Sequence, residues 1–335
     1  MRKKKICWVT FAAASSLRNA GGFPYERSAR DALSSADFEV VEVDVGVNGK
    51  KPRWLRILII MRKLLRISRK TDFDIVVKGF YACIFSQRSP AKNIAVIHHV
   101  DYSASAPIVR VLFAFIEKVI FRNLRAYDRV VTVSSFWEEY ARNRGLQNVC
   151  RIPNAFEVDD FEILPQEITD FKKRYSIGGK PVIYIGNCQV GKGTAETYEK
   201  LRDLDVLLVT SGTRQIQISA RNFDLSYREY LLLLRVSSIV ITMSTFKEGW
   251  CRTAHEAMLL KRPVIGSGKG GMRELLEGGK QIICEDFDNL RERVVYLLEH
   301  PEEAVEMGRK GYQFAAKFRI EEFQRSWREL VASEF

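Results

Sequence analysis

The feature that most constrains the fold of this chain is a series of short, continuous apolar runs that alternate with helical patterns. The runs are rich in Val, Ile and Leu, and most lack the apolar–polar alternation of a half-exposed strand. Such runs are typical of parallel strands that are buried on both faces. They predict eleven strands, at residues 5–11, 38–43, 74–77, 93–97, 129–133, 149–152, 182–185, 204–209, 239–242, 263–266 and 281–284.

The order of strands and helices predicts two domains. Helical patterns lie between the strands, at residues 106–126, 136–144, 227–236, 290–300 and 320–331. Repeated strand–helix–strand units imply parallel sheets with right-handed crossovers. The segment 153–177, with two prolines and many acidic residues, is predicted to connect two such sheets. We therefore expect an α/β fold of two Rossmann-like doubly wound domains facing each other across a cleft, at residues 1–155 and 156–317.

The positive charge of the chain is concentrated in its first half. Residues 1–155 contain 27 Lys+Arg and 13 Asp+Glu, whereas residues 156–335 contain 26 and 28. This asymmetry predicts an anionic partner for the first half: a membrane surface, a phosphorylated acceptor or a nucleic acid. Nucleic acid is disfavoured because the basic residues have little aromatic interleaving and no known nucleic-acid-binding module is present.

Cysteine and histidine usage argues against a metal or disulfide framework. The six cysteines are far apart and have neither metal-ligand nor redox spacing, which favours reduced thiols in a cytoplasmic protein. The basic and then apolar N-terminus resembles a signal peptide, but residues 6–11 are a short run and favour a first strand. The sequence contains no run of 18 apolar residues, so no transmembrane helix is predicted.

Two glutamates near the strand at 239–242 suggest a phosphate-binding loop. Glu248 and Glu256 lie eight positions apart, and Thr253 and Glu256 have capping-box spacing, so a helix is predicted to begin near Thr253. Its unpaired N–H groups and positive dipole end would suit a phosphate. The alternative is that Thr253 and Glu256 only cap the helix and that Glu248 is a solvated loop acid.

The motifs around these glutamates resemble the donor-binding signature of family-4 retaining glycosyltransferases of the GT-B fold. The resemblance is specific in residues 239–285, which contain the pattern EGW, HEAM, PVI and GGxxE. Looser similarity is present at Gly186 with Lys192-Gly193, at 152–155 and at 128–134. The resemblance implies transfer of a sugar from a UDP- or GDP-sugar to an acceptor hydroxyl, with retention and without a metal or other cofactor. It also implies that the last helix, at about 318–335, packs back on the first domain.

The resemblance implies roles for individual residues in the second half. Glu248 would hold hydroxyls of the donor sugar as a catalytic residue, Glu256 the ribose, and Lys192 the phosphates. Backbone groups near the start of the helix would contact the sugar and the diphosphate, at Gly249, Trp250, Cys251, Arg252 and Thr253. Carboxylates accept hydrogen bonds from vicinal hydroxyls, and a Lys beside a helix N-terminus can stabilise a leaving diphosphate.

One position departs from the family pattern. The family has an arginine after the glycine of the first loop, whereas this chain has Asn187, which would contact the donor without supplying charge. Arg252, Lys269 or Arg273 would have to replace the missing charge. Asn187 therefore keeps one alternative open, a catalytically degenerate protein that binds a nucleotide sugar or glycan. A second alternative is a nucleotide-sugar epimerase of similar fold.

The resemblance also assigns residues in the first half. Gly21 and Gly22 would approach the donor phosphates and the acceptor, although a Gly-Gly pair can equally form an ordinary turn. His98, with His99 as second choice, follows a predicted strand and would orient the sugar as a catalytic residue. The alternative for both histidines is a structural role at a strand end. Asp72 and Asp74 precede a strand instead of following it, so their spacing does not predict a metal site.

A basic segment at 50–70 predicts a membrane-facing helix. It contains nine Lys+Arg and no acidic residue, and Trp54, Leu58, Met61 and Leu65 share one helical stripe. Such a helix suits an anionic membrane on the cytoplasmic side that carries a glycan or lipid-linked acceptor. A core-facing helix with a solvated basic face is the alternative. The residues assigned to the membrane or acceptor are Arg53, Trp54, Arg56, Arg62, Lys63 and Arg66.

Overall fold

The protein divides into two compact units, each built around a parallel sheet. The computed structural model describes residues 3–11, 22–34, 38–47, 49, 51–69, 72–86, 90–102 and 107–334, apart from the side chains of Arg53 and Pro107. Unit 1 comprises Met1–Ala155 with Ile320–Phe335, and unit 2 comprises Phe156–Arg319.

The sheet of unit 1 has the order β2-β1-β3-β4-β5-β6, with every neighbouring pair parallel. Its strands are β1 (Lys4–Thr10), β2 (Phe38–Asp44), β3 (Ile75–Gly79), β4 (Lys92–Ile97), β5 (Arg129–Thr132) and β6 (Val149–Arg151). Alternate residues of β1 enter different cores, because Ile6 and Trp8 point to one face and Cys7 and Val9 to the other. Burial on both faces explains why inner strands such as β3 and β4 are mostly apolar runs, unlike the edge strand β2.

Helices cover both faces of this sheet. They are α1 (Gly22–Ser34), α2 (Arg53–Ile67), α3 (Pro107–Leu124) and α4 (Ser135–Arg142), with a short 3-10 helix at Phe80–Ile84. Leu33 of α1 packs on the face that carries Ile6 and Trp8. Leu64 of α2 packs with Cys7 and Val9. Leu124 of α3 packs with Ala95 of β4. Because Cys7 and Ala95 point to the same side of the sheet by their strand register, α2 and α3 cover the same face.

The sheet of unit 2 has the order β12-β11-β10-β7-β8-β9, and it is also parallel throughout. Its strands are β7 (Val182–Asn187), β8 (Leu207–Ser211), β9 (Arg221–Phe223), β10 (Ile239–Thr242), β11 (Val264–Gly266) and β12 (Ile282–Ile283). The predicted α/β fold with two parallel sheets is confirmed. The sequence pattern missed β9, because a three-residue edge strand is too short to show a period.

Unit 2 contains helices on both sides of its sheet. They are α5 (Pro165–Arg174), α6 (Thr194–Leu201), α7 (Tyr227–Val236), α8 (Arg252–Leu259), α9 (Met272–Gly278), α10 (Leu290–Glu299) and α11 (Pro301–Ala315), with a 3-10 helix at Val158–Phe161. The predicted connection at 153–177 contains a helix that the sequence pattern did not show, α5. Pro165 is the first residue of this helix, and the carboxylate of Glu167 accepts the N–H of Leu164. The segment therefore carries its own signal for the start of a helix.

The last helix of the chain, α12 (Ile320–Ala332), belongs to unit 1. The ring of Trp327 lies 5.4 Å from that of Trp8, and the guanidinium of Arg328 donates to the carbonyl of Ala32. Across the described ranges, no helix combines the length and the apolar character needed to cross a membrane.

Candidate active site

The loops after β7 and β10 meet at the position where parallel sheets bind ligands. The chain runs from β7 to β8 on one side, whereas β10 lies on the other side of β7, so the strand order reverses between them. Ligands of such sheets bind outside the carboxyl ends of the strands at this point. A small cavity of about 20 Å³ lies here, lined by Gly186, Asn187, Lys192, Thr242, Ser244, Glu248, Cys251 and Thr253. Five of the predicted site residues are therefore brought together: Asn187, Lys192, Glu248, Cys251 and Thr253.

An ion pair crosses this pocket. The ammonium of Lys192 lies 2.7 Å from Oε1 of Glu248, and the same oxygen accepts the hydroxyl of Ser244 at 2.5 Å. Burial disfavours the charge of Lys192, but the Glu248 carboxylate outweighs burial and raises the pKa of the lysine. The ammonium also lies 4.8 Å from the centre of the Phe246 ring. Lys192 is thus held charged, and it is the one basic residue among those that line the pocket.

The glycine pair at 270–271 holds the backbone of Glu248. The N–H of Glu248 donates to the carbonyl of Lys269, and the carbonyl of Glu248 accepts the N–H of Gly271 at 2.8 Å. Gly270 has a φ of +67°, and a Cβ there would collide with the Glu248 backbone. Only glycine fits such a close approach in this conformation. The GGxxE pattern therefore positions Glu248 through its main chain.

The N-terminus of α8 differs from its prediction in one respect. The helix begins at Arg252, and its N-cap is Cys251, which has a φ of +67°. The predicted capping box is wrong, because Thr253 already lies within the helix and its hydroxyl lies 3.2 Å from that of Tyr230. Cys251 and Thr253 line the pocket, so the first turn of α8, with its N–H groups unpaired within the helix, adjoins it.

Glu256 is held by three donors. Its carboxylate accepts the hydroxyls of Tyr227 at 3.2 Å and Tyr230 at 3.1 Å, and the guanidinium of Arg252 at 3.3 Å. Burial, followed by the negative charge of Glu256, raises the pKa of both tyrosines, so they stay protonated and donate. Arg252 also stacks over the ring of Phe156 at 4.3 Å. Neither tyrosine was predicted as a site residue, although their i, i+3 spacing on the predicted helix 227–236 places them next to each other on one face.

Asn187 occupies its position as part of a hydroxyl network. Its Oδ1 accepts the hydroxyl of Tyr184 at 2.5 Å and that of Ser211 at 3.1 Å. The side-chain oxygen is therefore used within the protein, which leaves the amide N–H groups to donate to a ligand. Arg273 does not supply the missing charge at the pocket, because it pairs with Glu285 at 2.6 Å and with Glu277 at 3.3 Å.

Trp250 and Gly249 support the loop from inside unit 2. Both residues are buried, and the indole N–H of Trp250 donates to Nδ1 of His255 at 2.8 Å. The other ring nitrogen of His255 lies 3.1 Å from the carbonyl of Ala315. The ring is therefore neutral, with its proton on Nε2, and burial lowers the pKa of His255 to about 3. The Trp250 side chain faces the core, so a ligand contact at this residue would come from its backbone.

The buried His255 predicts a pH-dependent loss of stability. An unfolded histidine titrates near its ordinary value of 6.5, so below that pH the unfolded chain binds a proton that the folded chain refuses. Between pH 6.5 and pH 5 this lowers the free energy of unfolding by about 2 kcal/mol. Urea unfolding of the wild type and of His255→Gln at both pH values measures the difference. An equal loss of stability between the two pH values in both proteins would contradict the prediction. His300→Gln, at a half-buried site, should match the wild type.

In unit 1 the structure brings Gly22 and His98 together. Gly22 is the first residue of α1, and a Cβ there would lie 3.0 Å from Cδ2 of His98. His98 Nε2 lies 3.3 Å from Glu26 Oε1, and Trp8 donates its indole N–H to the other oxygen of Glu26. Burial opposes ionisation of Glu26, but the interactions with His98, Trp8 and Arg30 together outweigh it, and the pKa of Glu26 is lowered. Gly21 lies outside the described residues. Glu26 was missed because nothing local to it predicts contact with His98.

The basic helix α2 packs on the core through a stripe other than the one predicted to face a membrane. Leu64 and Ile67 are buried, whereas Trp54 and Leu58 of the predicted stripe are exposed. Lys63 is engaged within unit 1, because its ammonium donates to the carbonyls of Asp44 and Gly46. Arg62 and Arg66 are exposed and Arg56 is half-buried; the side chain of Arg53 lies outside the description. Asp74 has a structural role, since its carboxylate accepts the N–H of Lys5.

Known proteins match both units. The sequence model of Glycosyltransferase Family 4 matches residues 16–160, and that of Glycosyl transferases group 1 matches residues 223–314. Trehalose synthase from Pyrococcus horikoshii is 36% identical over 91 residues, which is 27% of this chain and 22% of that protein. Trehalose synthase from Thermococcus litoralis is 25% identical over 313 residues, covering 80% of this chain and 72% of that protein.

Solved structures of glycosyltransferases share this fold. HepE from Anabaena, solved in complex with UDP-glucose, superposes with a TM-score of 0.72 at 14% identity, covering 98% of this chain and 99% of that one. The first family model falls in unit 1 and the second in unit 2, and together they account for most of the chain. The chain therefore belongs to the family-4 glycosyltransferases of the GT-B fold, the class of enzyme that transfers a sugar from a nucleotide-sugar donor.

Proposed function

We propose that unit 2 binds the nucleotide-sugar donor and that the chain transfers the sugar to an acceptor hydroxyl with retention. The observation that carries this proposal is the pocket at the ends of β7 and β10, where Lys192 and Glu248 meet the first turn of α8. A charged lysine and unpaired helix N–H groups suit a diphosphate. In the proposed roles Glu248 accepts sugar hydroxyls, Glu256 the ribose, and His98 orients the sugar.

The proposed reaction keeps the configuration of the anomeric carbon. The bond from this carbon to the diphosphate oxygen breaks, and a bond to the acceptor oxygen forms on the same face. The acceptor proton passes to the departing diphosphate. Cys251 lines the pocket, but burial raises its pKa to about 12, so it is a protonated thiol and a poor nucleophile. The coupling constant of the anomeric proton in the product tests retention, and inversion would refute it.

The proposal includes a donor with a uridine or guanosine diphosphate and no bound metal. HepE, which shares the fold, was solved with UDP-glucose, and this favours UDP among the candidates. Thermal unfolding in the presence of UDP, GDP or ADP identifies the nucleotide that binds, because a ligand at 100 times its Kd adds about 2.7 kcal/mol to the stability of the folded state. Lys192→Met should reduce the stabilisation by its nucleotide, whereas Lys200→Met, on the surface, should not. Activity should survive EDTA; its loss would refute metal independence.

The acceptor belongs to unit 1 in this proposal. The net positive charge lies there, so we propose an acceptor in or at an anionic membrane, such as a lipid-linked glycan. Transfer to a short-chain lipid-linked acceptor should be faster on vesicles with anionic lipid than on neutral ones. Equal rates on the two kinds of vesicle would count against a membrane acceptor.

Asn187 favours one alternative function, that of a protein that binds the donor without turnover. Its oxygen is occupied by Tyr184 and Ser211, and it brings no charge to the diphosphate. Slow hydrolysis of the donor in the absence of acceptor separates the two functions: a binding protein shows nucleotide affinity without released sugar. An epimerase would instead convert the donor sugar with no acceptor, which a product assay detects.

A further inference from the structure

The outer surface of α3 carries a stripe of exposed apolar side chains. Ile108 is 78% exposed, Val111 69%, Leu112 58% and Phe115 65%. Their i, i+3, i+4, i+7 spacing places them on one side of the helix, whereas Ile120, Phe121 and Leu124 fill the core on the other side. Globular proteins rarely leave a contiguous apolar patch of this kind in water, and such patches mark interaction sites.

The exposed surface of α2 faces the same way. Both helices pack on the sheet face that carries Cys7, Val9 and Ala95, so their outer sides point away from that face together. Trp54, Ile57 and Leu58 of α2 are each more than half exposed. Tyr81, on the 3-10 helix that touches both cores, is also exposed. We call the outer surfaces of α2 and α3 the two-helix face.

The charge of the two-helix face is positive only. The helix α2 contains no acidic residue, and Arg62 and Arg66 are exposed beside its apolar residues. The one acid of α3, Glu117, is buried on the core side and accepts bonds from Tyr102, Tyr140 and Arg144. The apolar stripe of α3 is instead continued by Lys118 and Arg122, both exposed. Apolar side chains flanked by cations fit the boundary between acyl chains and anionic headgroups.

We propose that the two-helix face is a membrane-docking surface whose apolar residues on α3 insert into a bilayer that contains anionic lipid. The inference rests on the proposed function, because it names the element of unit 1 that would bring the acceptor membrane to the enzyme. It goes beyond the basic segment 50–70, since α3 supplies four strongly exposed apolar side chains. A protein partner is less suited, because a uniformly basic rim of long side chains gives charge attraction without the mixed polar contacts of a protein interface.

Vesicle co-sedimentation tests the proposal with a matched control. The test variant is Ile108→Ser with Phe115→Ser, and the control is Leu164→Ser with Val305→Ser, two comparably exposed apolar residues of unit 2. On phosphatidylcholine vesicles with about one-third phosphatidylglycerol, the test variant should bind at least about tenfold more weakly than the wild type. The control should bind like the wild type, and Lys118→Gln with Arg122→Gln should weaken the preference for the anionic vesicles. Wild-type binding that the test variant retains would overturn the proposal.

Two further readouts keep this inference separate from the proposed function. Stabilisation by UDP and slow donor hydrolysis in solution should be equal in the test variant, the control and the wild type. A wild type that turns over donor but ignores vesicles refutes the docking surface alone. A wild type that binds vesicles through α3 without turning over donor refutes the transferase proposal alone. A wild-type dimer that the test variant dissolves, without vesicle binding, would assign the face to a second copy of the chain.

Discussion

Replacement of Glu248 by Gln is expected to lower kcat/KM for sugar transfer by about 10- to 150-fold, because hydrogen bonds to a charged group contribute about 1.5–3 kcal/mol. The isosteric amide keeps the volume of the pocket and the loop held by Gly270 and Gly271. It removes the charge that pairs with Lys192 and accepts Ser244. The variant therefore tests the charge of the carboxylate while the fold stays unchanged.

The matched control is Glu277→Gln in the same unit. This residue is exposed and pairs with Arg273 on the surface, so its loss should leave kcat/KM unchanged. Steady-state kinetics with one acceptor at saturating concentration measures both variants. Full activity in Glu248→Gln would show that the carboxylate is a structural partner of Lys192 and not a ligand of the donor sugar.

Trp327→Ala should reduce the free energy of unfolding of unit 1 by about 3–5 kcal/mol, because it removes a large buried aromatic side chain and leaves a cavity. The Trp327 side chain is fully buried, 5.4 Å from Trp8 and 6.3 Å from Tyr25 by ring centres. Tyr25 in turn packs edge-on against His98 at 5.0 Å. Loss of Trp327 therefore also removes support from Tyr25, whose ring packs against His98, the residue that we propose orients the donor sugar.

Trp54→Ala is the control for this second prediction, because it makes the same substitution in the same unit at an exposed site. Denaturant unfolding followed by circular dichroism should show a change of at most about 0.5 kcal/mol for it. If Trp327→Ala were equally mild, α12 would not contribute to the core of unit 1. The stabilisation of unit 2 by UDP should persist in both variants.

Strands and long helices of this protein are predictable because their signal is local. A strand buried on both faces is apolar wherever it is buried, so β10 is visible as a run of Val and Ile and β1 as the run Ile6–Val9. The period of α7 is equally clear over ten residues. The edge strand β9 has one buried residue in three, and α5 has one buried residue in ten, so neither leaves a readable pattern.

The site was predictable where a motif is contiguous and not where contacts cross the chain. Glu248 and Lys192 could be singled out on their loops, and the structure joins them across 56 positions. Ser244 and the tyrosines that hold Glu256 and Asn187 were not predicted. Hydroxyl groups within apolar strands and helices look like ordinary core residues until their partners are known.

The sequence by itself determined that the chain forms parallel sheets with loops of polar residues at their ends, because burial and turn formation are dictated residue by residue. It also placed the charge imbalance in the first half. Only the tertiary structure decided which stripe of α2 enters the core, that α3 leaves four large apolar residues in solvent, and that Gly270 clamps Glu248. These outcomes depend on which surfaces meet when distant segments pack, and a helix that is apolar on two sides carries no local mark of the side that will be covered.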